Sequence, residues 1–64
     1  GVDEGEVAKI VQAIVADKMD LVRSKGERAA APLMGLVMKE LRGKADGALV
    51  SDILKKEINN ILSE

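Results

Sequence analysis

The chain has 64 residues, 47% hydrophobic and 33% charged, the balance of one small globular domain rather than a disordered or fibrous segment. It holds no Cys, His, Phe, Trp or Tyr, which excludes a disulfide scaffold, a Cys/His zinc site, a Ser-His-Asp or Cys-His nucleophile and an aromatic platform for stacked bases. The net charge of −1 hides an uneven distribution: from Arg23 to Lys44 there are six basic residues against two acidic ones, and the rest of the chain is acidic.

Helical periodicity runs through the whole chain, and no segment alternates as a strand would. Val7, Ile10, Val11, Ile14, Val15, Leu21 and Val22 form the first apolar stripe. Asp3, followed three residues later by Glu6, gives a capping-box-like start with acids at the positive end of the helix dipole. An unbroken wheel places Lys18 in the middle of that stripe, so a break near Asp17 is expected, with a snorkelling Lys18 as the other solution. Gly26 closes the region as a residue tolerant of positive φ.

Pro32 limits where the next helix can begin, because beyond the first turn its ring meets the carbonyl four residues back; a start between Arg28 and Ala31 follows. That helix is expected to run to Arg42 and stop at Gly43, with Leu33, Met34, Val37, Met38 and Leu41 as its apolar face. Met34 and Met38, four residues apart, read as core packing rather than as soft ligands. The last helix begins after Asp46, a good N-cap, and presents Val50, Ile53, Leu54, Ile58, Ile61 and Leu62. The fold class is therefore all-α, a single domain over residues 1–64 built as a bundle of three to four helices, about 4–16, 18–25, 29–42 and 47–62. A domain this small buries only about 60% of the surface its unfolded chain exposes, so aliphatic side chains must make a thin core.

Several kinds of site have little support. No acidic calcium loop is present, and Asp46-Gly47 reads as a cap and a turn. Glu57 is the one acid on an apolar stripe, where it would reach water or pair with a lysine such as Lys18, and Asp52 and Lys56 form an i, i+4 pair. The helices around Gly43 have helix-turn-helix spacing, but the second would open with Gly47, Ala48, Leu49 and Val50, which lack base-reading groups. The longest uncharged stretch, Ala29 to Met38, is too short to span a membrane, no secretory leader is visible, and a cytoplasmic chain without membrane contact is expected. The opening Gly1-Val2, without an initiator Met, suggests excision from a longer chain.

The segment from Gly35 to Lys44 stands apart from an ordinary charged face. On a helical wheel Gly35, Lys39 and Arg42 fall together, away from Leu33, Val37 and Leu41, and Lys44 follows in the loop. A glycine without a side chain beside three cations offers a place where a phosphate backbone could approach a helix and meet Lys and Arg donors. The same pattern has plain structural explanations, since cations favour a helix C-terminus and a glycine can admit a neighbouring helix. An acidic protein partner would also suit it.

Pro32 to Gly47 reads PLMGLVMKELRGKADG and Leu49 to Ile58 reads LVSDILKKEI. The succession Gly35, Val37-Met38-Lys39, Arg42-Gly43-Lys44-Ala45, Asp46-Gly47, Val50 and Ile53-Leu54-Lys55, closed by Glu57-Ile58, resembles the C-terminal tail domain shared by the B and E subunits of tRNA-dependent amidotransferases, a YqeY-like helical domain. The likeness is close over the second half of the chain and loose from Glu6 to Gly26. Pro32-Leu33-Met34-Gly35 and Met38 to Lys44 are more similar to the E form, which is archaeal, than to the B form, and Gly47 stands where many relatives have proline.

The resemblance implies a non-catalytic tail of an enzyme that converts Glu-tRNA(Gln) to Gln-tRNA(Gln). ATP and Mg would serve the upstream cradle domain, and an amidase or asparaginase partner subunit would supply ammonia. The tail would hold and help select tRNA(Gln), with no catalytic residue, cofactor or metal of its own. Gly35, Lys39, Arg42 and Lys44 are then the candidate tRNA contacts, with Arg23, Lys25, Lys55 and Lys56 secondary. The alternative is a scaffold module that docks a partner subunit through an exposed apolar stripe.

Overall fold

The computed structural model describes residues 3–64; Gly1 and Val2, on which the expectation of excision rests, lie outside the described residues. Four α-helices follow in order: α1 (Glu4–Asp17), α2 (Met19–Lys25), α3 (Ala30–Leu41) and α4 (Gly47–Leu62), with a 3-10 turn over Gly26–Ala29 joining α2 to α3. Among the described residues there is no strand, and no helix is long and apolar enough to cross a membrane.

Each of the three longer helices buries a ridge of three residues spaced by four. These are Val7, Val11 and Val15 from α1, Leu33, Val37 and Leu41 from α3, and Val50, Leu54 and Ile58 from α4. Residues four apart stack on one helical face, so three such ridges can pack together around a common line. Val22 and Ala29, from the two short elements, complete the buried set. Residues three positions after a ridge residue on α1 and α4, Ile10, Ile14, Ile53 and Ile61, or three before one on α3, Met34 and Met38, are half-buried against it. Valines are indifferent helix formers in isolation, so α1 owes its stability to this burial. Among the described residues no polar or charged side chain is buried.

The helix ends follow local chemistry. Asp3 Oδ1 accepts a hydrogen bond from the Glu6 amide at 2.8 Å, and Asp46 Oδ1 accepts one from the Ala48 amide at 3.3 Å. The break expected near Asp17 falls at Lys18, whose backbone leaves helical geometry at φ −113° and ψ 32°. Its amide donates to the carbonyls of Ile14 and Val15, and its own carbonyl accepts from Leu21 and Val22, so one residue closes α1 and opens α2. Gly26 has φ 61° and ψ −133°, a conformation open in practice to glycine alone, and the chain passes straight into the 3-10 turn. Pro32 is the third residue of α3, inside the first turn, where its missing amide forfeits no helical bond.

Two expectations need correction. The helix through Met38 ends at Leu41 rather than Arg42: Arg42 takes the left-handed conformation, φ 56° and ψ 37°, its amide donating to the Met38 carbonyl at 2.8 Å. Gly43 follows with φ 73°, so two consecutive residues turn the chain. The charge pairs also differ. Among the described residues the ion pair formed is Lys18 with Asp17, at 3.8 Å, and neither Glu57–Lys18 nor Asp52–Lys56 closes.

Candidate nucleic-acid interface

Gly35 lies on the exposed side of α3, and a β-carbon placed there would meet no heavy atom within 4 Å. The packing explanation for this glycine is thereby removed, since no neighbouring helix approaches it. Lys39 stands one turn further on, also exposed. Arg42 is exposed beyond the end of the helix and reaches its position through the left-handed turn rather than along the helical wheel.

Lys39 and Arg42 line one open groove of about 440 Å³. α3 contributes Leu36, Lys39 and Glu40 to it, and α1 with the residue after it contributes Ile14, Asp17 and Lys18. Three cations and two carboxylates thus face a common space, with Leu36, 40% exposed, as an apolar wall. Lys18 is the residue that the wheel misplaced: a continuous α1 would bury it, and the break delivers it to the groove instead. The signal was present in the sequence as a lysine in the centre of an apolar stripe.

The remaining candidates do not join this groove. Lys44 is exposed in the loop between α3 and α4, Arg23 and Lys25 lie in the last turn of α2, and Lys56 is exposed on α4. Lys55 lines grooves on the other flank of α3, beside Glu27, Ala30 and Met34. Glu57 is half-buried on α4 and forms no ion pair among the described residues. Among the described residues no three carboxylates come together in a way that would hold a metal ion.

The structure is thus a small, aromatic-free helical bundle that exposes cations beside a bare stretch of helix backbone. The family model described as the GatB domain matches residues 2–58, and the chain belongs to that family. It is similar to the E subunits of two archaeal glutamyl-tRNA(Gln) amidotransferases. That of Methanocaldococcus jannaschii is 48% identical over 61 residues and that of Methanospirillum hungatei 44% identical over 61 residues; each alignment covers 95% of this chain and 10% of the relative. The corresponding protein of Haloarcula marismortui is 50% identical over 58 residues, 91% of this chain and 9% of the relative. The chain therefore spans about a tenth of the length of these relatives. No solved structure matches it.

Proposed function

We propose that this domain is the C-terminal tRNA-binding tail of a glutamyl-tRNA(Gln) amidotransferase of the archaeal, E-subunit type. It holds tRNA(Gln) by its phosphate backbone while the cradle upstream, using ATP and Mg, forms the amide in the cytoplasm with ammonia from an amidase or asparaginase subunit. The tail itself performs no chemistry. The observation that carries the reading is the exposure of Lys39 and Arg42 on one groove, next to the open backbone at Gly35. Lys and Arg donors arranged around a helix without an intervening side chain suit phosphate oxygens, and such contacts position a nucleic acid without reading its bases. Lys44, exposed in the loop that follows, is a further candidate contact outside the groove.

A scaffold that docks by an apolar stripe has less support. The stripes face one another in the bundle, and the large hydrophobic residues left exposed among those described, Leu36 and Leu62, belong to separate helices.

The test is binding of a tRNA(Gln) transcript by the full-length protein and by its Lys39→Glu, Arg42→Glu, Lys44→Glu variant. Three phosphate contacts contribute a roughly 40-fold loss of affinity between 50 and 200 mM salt. The variant should bind weakly and lose that part of the salt dependence; unchanged binding would refute the surface assignment.

A further inference from the structure

The interruption of α1 is not required by the register of its buried valines. Seven residues are close to two helical turns, so an unbroken helix would keep Val15 and Val22 on one face without any adjustment. What it would also do is bury the Lys18 ammonium between Val11, Val15 and Val22, away from water and without an anion. In the structure all three valines are buried and Lys18 alone departs from the helix, its side chain 47% exposed on the groove that holds Lys39 and Arg42. The chain instead interrupts its first helix around a cation.

We propose that Lys18 is a further phosphate contact of this groove, and that the break in α1 serves to present its ammonium beside Lys39 and Arg42 to the RNA backbone. The proposal rests on the tRNA-binding reading above. Lys18 is free to take this part because its partner holds it loosely: Asp17 Oδ2 stands 3.8 Å from the nitrogen, and the Asp17 side chain is 78% exposed. Asp17 is then a competitor for the ammonium that an entering phosphate displaces. With Glu40 also on the groove, the surplus there is a single positive charge, so each cation matters to anion binding.

Two other residues near this groove point the same way. Gly35 occupies an exposed mid-helix position with open space around it, and Arg42 takes a left-handed conformation that glycine accepts more readily. Lys18, Gly35 and Arg42 are thus three positions where the residue present is not the one helix stability favours, and all three lie on or beside the surface shared by α1 and α3.

The experiment compares full-length protein with its Lys18→Gln, Asp17→Asn and Lys9→Gln variants, binding a tRNA(Gln) transcript at 50 and 200 mM salt. Lys9 is exposed on α1 and does not line the groove. Loss of one phosphate contact should make the affinity drop across that salt range about 3.5-fold smaller for Lys18→Gln than for the unaltered protein. Lys9→Gln should leave it unchanged, and Asp17→Asn should tighten binding. Weaker binding by Lys18→Gln with an unaltered salt dependence would mean a structural role and overturn the proposal, as would a variant identical to the unaltered protein. If Lys39→Glu, Arg42→Glu, Lys44→Glu still abolishes binding in that case, the inference about Lys18 fails alone. If it does not, the tRNA-binding reading of the surface fails with it.

Discussion

A β-carbon added at Gly47, the first residue of α4, would stand 3.9 Å from the Cε methyl of Met34 on α3, an ordinary van der Waals contact. The site has room for a side chain, and the first helical position is the one proline occupies most readily. The Ala48 amide, not that of Gly47, bonds the Asp46 cap. Gly47→Pro should therefore stabilise the domain by about 0.5–1 kcal/mol, chiefly by restricting the unfolded chain. A rise of about 2–8 °C in the melting temperature, followed by helical circular dichroism, would bear this out.

Gly35 gives a second, two-sided prediction. In an exposed helix interior, alanine is favoured over glycine by about 1 kcal/mol, and nothing stands in the way of the added methyl. Gly35→Ala should raise the melting temperature while weakening tRNA binding by the full-length protein, because the methyl holds the phosphate backbone off the helix. Higher stability with unchanged affinity would remove Gly35 from the interface.

Arg42 shows the reverse arrangement. A side chain in the left-handed conformation costs about 1 kcal/mol relative to glycine. Arg42→Gly is expected to stabilise the isolated fold and to reduce affinity for tRNA, together with its salt dependence. Gly43→Ala, at φ 73°, should only destabilise.

The caps and the core set the remaining scale. Asp3→Ala removes the 2.8 Å bond to the Glu6 amide and should cost about 1 kcal/mol.

Leu54→Ala is far more severe. The residue is 1% exposed at the middle of the α4 ridge, and truncation there costs about 2–5 kcal/mol. A chain of this length has a total stability of about 3–10 kcal/mol, so the variant should lose a large share of it and melt far below the unaltered domain. Met34→Leu, at a half-buried position, should change stability by less than about 1.5 kcal/mol. Melting curves of the two variants side by side check both.

Much of this fold was legible in the residues themselves. Spacing placed α4 at its observed bounds, Asp3 and Asp46 announced their helices, and Pro32 confined the start of α3 to its first turn. What periodicity could not choose was which part of each broad stripe faces the core; packing selected the i, i+4 ridges and left Ile14 and Met38 at the edge. The groove was harder to read. Lys39 was visible on a wheel, but Lys18 depends on a helix break whose geometry comes from tertiary burial. Arg42 depends on the sign of a backbone dihedral that arginine rarely adopts. Lys55 looked equivalent by charge, yet lies on the other flank of α3.

The most extensive helix pairing in the bundle is between α1 and α4, the first helix and the last. During synthesis the valine ridge of α1 thus emerges long before the surface that will cover it. Until Val50, Leu54 and Ile58 have left the ribosome, Val7, Val11 and Val15 have only α2 and α3 to lean on. The domain cannot be assembled progressively from its N-terminal side; it closes in a single late event, and a nascent chain halted before α4 would expose an aliphatic strip to chaperones.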